Sequence, residues 1–236
     1  MPPSPAGMEP RTATPAPGHH PAVEEYLETI LELEESGIPP MRARLVERLG
    51  VSAPAVSETV GRLAREGYVT LDDHRVVHLT DEGRGYATSI MRRHRLAERL
   101  LVDVLHVPWH QVHEEAGRLE HAISANLEAH LVRLLGDPAT CPHGNPIPGS
   151  ANPVPSDPLQ PLADVPAGGK AEVRRVSEEI EADAESMLLL EEAGLVPGCA
   201  VTVVDSGRGR LTVETSHGIS AVPGRVAGRV YVASAD

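Results

Sequence analysis

His94 and Glu98 stand four residues apart, and His113, Gly117, Glu120 and His121 follow one another at i, i+4, i+7 and i+8. On a helix each of these sets shares one face. An imidazole beside a carboxylate on one helical face is how divalent first-row metals are held. Glu25 and Glu28 flank an inward-reading Tyr26-Leu27 and offer two more oxygen donors. Cys141-Pro142-His143 places a thiol and an imidazole two residues apart, and that soft pair favours transition ions over Ca²⁺ or Mg²⁺. A solvated polar face explains any one of these pairs alone; several in one helical region point to a metal centre. Hydrolytic chemistry has less support. His113-Glu114 opens like a zinc-protease motif, but its fifth position is Gly117 and not His. Pro166–Lys170 lacks phosphate-loop spacing, and no nucleophile elbow is present.

The elements that must position these groups are legible from periodicity. Val23, Tyr26, Leu27, Ile30, Leu31 and Leu33 predict a helix that stops at Gly37-Ile38-Pro39-Pro40. A second helix runs from Arg42 to Leu49 with Gly50 as its C-cap. Ser52 caps a third, whose inward face is Val56, Val60 and Leu63 and which ends at Gly67. Residues 68–71 and 76–79 read as strands around a turn at 72–75, and Thr80-Asp81 opens a long helix. That order is a winged helix-turn-helix over 22–80. Helical periodicity continues to Leu105 and again from Pro108 to Leu135, predicting a helical domain over 81–137. Residues 138–169 are crowded with Pro and Gly and read as a linker. Short strands with Gly turns over 170–236, interrupted by one helix near 183–193, predict a small β-barrel. Residues 1–21 are Pro-rich and polar, a disordered arm.

The 236 residues suffice for two or more domains, and 41% apolar content supplies their cores; with no Phe and 2% aromatics, those cores must be built from Leu, Val, Ala and Ile. No apolar run reaches the roughly 18 residues of a membrane span. The start lacks the apolar stretch of a secretory signal, and two cysteines make no disulfide framework, so a reduced cytoplasmic protein is expected. The net charge of −13 argues against nucleic acid until it is divided. Residues 22–40 hold six acids and no base, whereas 41–95 hold ten arginines against seven acids. The basic segment coincides with the helix-turn-helix, where a DNA-reading surface must be sought.

EYLETILELEE, RARLVERLGVSAPAVSETVGRL, MRRHRLAERLL, VHEEAGRLEHAIS and HGNPIPG, all within residues 25–149, resemble the diphtheria-toxin-repressor and iron-dependent-regulator family. The β-rich tail looks like that family's SH3-like third domain. The resemblance implies a homodimeric repressor that binds Fe²⁺ or Mn²⁺ and then grips operator DNA. It implies one metal site at His94, Glu98 and His113 with Glu178 and Glu181 from the third domain. In the manganese-responding pattern the site is instead Glu98, Cys141, His143 and Glu178; Glu98 is common to both. A second site maps to Glu25, Glu120 and His121. Iron-type members place Met and Cys where this chain has Glu25 and Gly117, so hard oxygen replaces soft sulfur and Mn²⁺ is favoured, with water or Glu28 filling the place that Gly117 leaves. The implied DNA contacts are Arg42, Arg44, Ser52, Pro54, Ser57, Thr59, Arg62 and the wing's Arg75. Glu58 stands where iron-type members have Gln, and its carboxylate can accept from cytosine N4.

A metal-activated repressor of metal-uptake genes is therefore the expected function. A metalloenzyme using the same His/Glu clusters, or a metal-independent DNA-binding scaffold, are the rivals. If Arg75 touches a phosphate, Arg75→Ala should lower the magnitude of the log K against log [salt] slope by about 0.9. Fluorescence-anisotropy titrations of operator DNA across a salt series measure this, and equal slopes would remove Arg75 from the interface.

Overall fold

The computed structural model describes residues 21–207 and 209–235; the expected N-terminal arm lies, apart from Pro21, outside them. Helix α1 (Pro21–Glu35) turns Val23, Tyr26, Leu27, Ile30, Leu31 and Leu33 inward, the stripe that its sequence predicts. Helix α2 (Arg42–Leu49) ends at Gly50, whose left-handed backbone lets its N–H donate to the Val46 carbonyl. Ser52 Oγ accepts from Ala55 N at 3.4 Å and opens α3 (Ala53–Arg65). Strands β1 (Val69–Leu71) and β2 (Val77–Leu79) pair antiparallel with Val69 opposite Leu79. Their side chains close one core with α1, α2, α3 and the first half of α4 (Asp81–Arg99). Helix, helix, turn, helix and hairpin are thus one winged head.

Helix α4 leaves that head and becomes the spine of the next unit. It ends in a widened π turn, Leu100–Val104. The helical stretch expected over 108–135 is not continuous. A 3₁₀ turn at Trp109–Gln111 precedes α5 (Val112–Leu119), and a second at Glu120–Ala122 precedes Ile123, which is extended. Ser124 Oγ then accepts from Leu127 N at 3.3 Å and starts α6 (Ala125–Leu135) anew. The break has a physical reason: Ser124 offers the chain a cap, and the tight turn before it carries the Glu120 side chain inward.

Beyond a loop folded on itself between Cys141 and Gly144, the remainder is a six-stranded antiparallel sheet. Its strands are β3 (Gln160–Pro161), β4 (Lys170–Val176), β5 (Ala200–Gly207), β6 (Arg210–Thr215), β7 (Gly218–Pro223) and β8 (Val230–Ser234), ordered β3-β8-β4-β5-β6-β7. Short helices α7 (Glu178–Glu181), α8 (Ala184–Glu192) and α9 (Gly224–Ala227) pack its core. Two findings correct the sequence-based expectation. The sheet is SH3-like but not closed into a barrel: β3 and β7 remain edges. β3 is two residues long and contains Pro161, which has no N–H to extend a ladder. The sheet also reaches back into the Pro-rich stretch expected to be linker, because β3 pairs with β8.

Gly83, in the first turn of α4, is where the spine meets the wing. A Cβ there would lie 1.9 Å from the Tyr68 carbonyl oxygen, so helix and hairpin approach only because the side chain is absent. Gly83→Ala should destabilise the protein by about 1–3 kcal/mol through this overpacking. Urea unfolding of the two proteins measures it, and an unchanged midpoint would refute the close approach.

Candidate metal centre

Helix α4 carries His94 and Glu98 one turn apart, both buried, with their heads toward α1, α5 and the Cys141 loop. His94 Nδ1 lies 2.6 Å from Glu120 Oε2 and 3.8 Å from Glu28 Oε1. Its Nε2 lies 3.1 Å from His113 Nδ1 and 3.4 Å from Glu98 Oε1. Glu98 Oε1 in turn is 3.2 Å from His143 Nδ1, and Glu181 Oε2 is 3.1 Å from the same nitrogen and 3.2 Å from His113 Nδ1. Three groups result, each with donor atoms close enough for one cation: Glu28, His94 and Glu120; His94, Glu98 and His113; and Glu98, Cys141 and His143.

The surroundings orient these donors. His143 Nε2 faces the Trp109 carbonyl at 3.3 Å, which leaves Nδ1 as the nitrogen turned to the carboxylates. His121 Nδ1 donates to Glu24 Oε2 at 2.6 Å, and Tyr86 Oη donates to the other Glu24 oxygen at 2.6 Å. A carboxylate–histidine pair of this kind fixes the orientation of the imidazole. Beside the cluster opens a cavity of about 690 Å³ reached by Glu25, Glu28, Gly117 and Glu179.

The electrostatics fit a cation. Glu98 Oε2 is buried and accepts no hydrogen bond among the described residues. Burial alone would raise Glu98, but the imidazoles of His143, His113 and His94 hold it well below the usual carboxylate range. Burial would lower His94, His113 and His143; the carboxylates beside them outweigh it, and His113 is pushed up to about 10. Burial pushes the Cys141 thiol up to about 12. The polypeptide thus holds protons where a divalent ion would replace them, and a neutral imidazole or thiolate is what a metal requires.

The structure sorts the sequence-predicted residues. Glu98, His94, His113, Cys141, His143 and Glu181 come together; Glu120 joins them through His94. Glu178 does not. Arg95 takes it instead, Nε to Oε1 at 2.9 Å, and also holds Glu35 Oε2 at 2.6 Å. Burial raises Glu178 to about 7 even so. Glu25 stands exposed on the cavity wall, outside the three groups, because the α1 face that turns inward carries Glu24 and Glu28 instead. Gly117 lines the cavity with no atom within 4 Å of where its Cβ would be, and Glu28 stands in the group with His94 and Glu120. Sequence reasoning missed Glu24 and Arg95. Glu24 sits at i and Leu27 and Leu31 at i+3 and i+7, and an acid on that apolar stripe was the available signal; nothing local marks Arg95.

The residues expected to contact DNA lie on α2, on and before α3, and at the hairpin tip. Ser52, Pro54, Ser57 and Glu58 are exposed, and Thr59 and Arg62 half-buried, opposite the buried Val56, Val60 and Leu63. Arg75 is exposed at the hairpin tip with a left-handed backbone, in a turn where Asp72 Oδ1 accepts from His74 N and Val76 N. Arg44 is exposed and paired with Glu47 at 2.7 Å, and Arg42 is half-buried.

A winged reading head joined by a helical spine to a cluster of buried metal-type donors defines a metal-responsive DNA-binding regulator. The comparisons with known proteins agree. Residues 20–77 match the iron dependent repressor N-terminal DNA binding domain, residues 80–149 its metal binding and dimerisation domain, and residues 160–234 the FeoA domain. The iron-dependent repressor IdeR of Mycobacterium tuberculosis is 44% identical over 199 residues, covering 80% of this chain and 86% of that protein. The diphtheria toxin repressor of Corynebacterium diphtheriae is 40% identical over 198 residues, covering 81% and 87%. A solved manganese-dependent transcriptional repressor in complex with manganese superposes with a TM-score of 0.79 at 35% identity, over 90% of this chain and 100% of that one. The chain belongs to the iron-dependent repressor family, whose members are metal-dependent transcriptional repressors and not enzymes. The metalloenzyme reading is thereby set aside.

The site's protons give a pH dependence. His113 gains stabilisation from Glu181 and Glu98 that is complete below its ordinary value of 6.5 and lost as pH rises through about 10. Metal affinity should move the opposite way, rising by up to about tenfold per pH unit for each proton displaced. Mn²⁺ calorimetry between pH 6.5 and 8, run in two buffers of different ionisation enthalpy, reads both affinity and proton release. A flat profile without proton release would contradict it.

Proposed function

We propose that this chain is a homodimeric repressor whose co-repressor is Mn²⁺, acting in the cytoplasm on operators of metal-uptake genes. The observation that carries the metal reading is the buried Glu98 carboxylate, one oxygen bare, among the imidazoles of His94, His113 and His143. A bound divalent ion supplies the positive charge that such a site lacks once its imidazoles are neutral. The residues that would hold it are drawn from α1, α4, α5, the Cys141 loop and α7, so the donors belong to the reading head, the spine and the sheet domain at once. Drawing them together fixes the head relative to the spine, and an arrangement that binds both ion and operator better is what makes the ion a co-repressor. Leu127 and Leu134, seven residues apart on α6, are exposed on one helical face, which supports pairing of two spines. No helix among the described residues is long and apolar enough to cross a membrane.

Manganese is favoured by the oxygen-rich group at α1, where Glu28 and Glu120 stand beside one imidazole, and a structurally similar repressor was solved with manganese. Cys141 favours the alternative, Fe²⁺, by adding a soft donor. Glu98 stands in two of the three groups. Glu98→Ala should therefore lower metal affinity by more than the ~10–100-fold that loss of an outer-shell partner costs, abolishing metal-activated operator binding while the dimer stays folded. Calorimetry and anaerobic gel shifts with Mn²⁺ and Fe²⁺ test both points. Unchanged affinity in the variant would refute the site, and wild-type activation by Fe²⁺ alone would refute manganese.

A further inference from the structure

His94 is the one imidazole that belongs to two of the three donor groups, and it does so through different nitrogens. Nδ1 points to Glu120 at 2.6 Å and Glu28 at 3.8 Å; Nε2 points to His113 at 3.1 Å and Glu98 at 3.4 Å. The ring is buried and held from both sides, so it meets both groups without turning. We propose that His94 is a switching ligand, serving the position of Glu28 and Glu120 through Nδ1 or that of Glu98 and His113 through Nε2, and never both at once. The proposal rests on the metal-dependent reading above and adds how its sites are coupled.

The exclusion follows from the chemistry of neutral imidazole, because ions on both nitrogens would require the ring to lose its N–H and become an imidazolate. A neutral ring has one bare nitrogen and one N–H, and the hydrogen bond made by one decides what the other can bind. An ion on Nδ1 leaves Nε2–H, which His113 Nδ1 or Glu98 Oε1 is placed to accept. An ion on Nε2 leaves Nδ1–H, which Glu120 Oε2 is placed to accept. Each occupied state therefore finds a hydrogen-bond partner waiting on the other side, and neither leaves a buried N–H unsatisfied. Glu98 imposes no such rule, since a carboxylate has two oxygens and one of them is bare. Cys141 and His143 do not use His94, so an ion there is compatible with either state, and the fullest loading of the three groups found among the described residues is two ions.

The test uses Zn²⁺, a diamagnetic probe, on the full chain with ¹⁵N-labelled histidine. Two-bond ¹H–¹⁵N correlation spectra tell a metallated nitrogen from a protonated one, and a His94→Asn sample assigns the His94 signals. Wild type should take up two Zn²⁺ per chain by equilibrium dialysis, with His94 metallated at one nitrogen and protonated at the other. Glu28→Gln/Glu120→Gln, which removes both carboxylates facing Nδ1, should leave His94 metallated at Nε2 and protonated at Nδ1. The proposal is overturned if wild type carries metal on both His94 nitrogens at once, if the double variant keeps the metal on Nδ1, or if His94 carries no metal in that variant. Any of these leaves the metal-dependent reading standing as long as wild type binds Zn²⁺ at micromolar concentration; absence of binding there overturns both.

Discussion

A buried carboxylate with a bare oxygen is a demand that the rest of this structure must meet. Glu98 is buried with the imidazoles of His94, His113 and His143 around it, and Glu181 shares two of those imidazoles. Burying a charge costs several kcal/mol unless it is paired and hydrogen-bonded. Positive charge on the neighbouring imidazoles meets the demand in the metal-free chain, and a divalent ion can meet it in their place. The same geometry thus supports two protonation and loading states of one cluster, which is what a sensor needs. Everything that brings a donor to Glu98 is therefore also something that the ion can move.

Arg95 complements that arrangement without a metal. It is buried on the neighbouring flank of α4 and binds Glu35 at the end of α1 and Glu178 at the start of α7. One guanidinium thus joins the reading head to the sheet domain across the spine, and its fork geometry suits two carboxylates at once. By engaging Glu178 it leaves Glu181 as the third domain's contribution to the cluster. Adjacent residues of α4, His94 and Arg95, accordingly face different partners, one the donor cluster and the other the carboxylates of α1 and α7.

The reading head owes its form to more ordinary forces. One apolar core joins α1, the helix-turn-helix, the hairpin and α4, so α1 and α3 are coupled through packed side chains. Glu24 lies on that same helix α1, accepting from Tyr86 of α4 and from His121 of the 3₁₀ turn. Glu28 of the same helix stands in the donor group with His94 and Glu120, so one helix carries both a donor of the cluster and part of the reading head's core. That shared helix is the physical route by which ion binding can bias the head.

How much of this was legible depends on how local each cause is. Helix stripes, caps and turns act over a few residues, so the winged head and the positions of Gly50, Ser52 and Thr80 could be read directly from the sequence. So could the donor types, since His94 and Glu98 meet by helical spacing alone and Cys141 and His143 by a short loop. Partner choice was not local. Glu178 and Glu181 are three residues apart on one short helix, and only the approach of Arg95 from α4 decides which of them faces the cluster. The rotation of α1 decides that Glu24 and Glu28 turn inward and Glu25 outward, a difference of one residue in a run of acids. The open edges of the sheet likewise depend on long-range pairing that alternation in the sequence does not specify. The sequence determined the chemistry and the elements that carry it. The packing of domains decided which atoms meet, because distances between remote segments are set by the whole core and not by any one stretch of it.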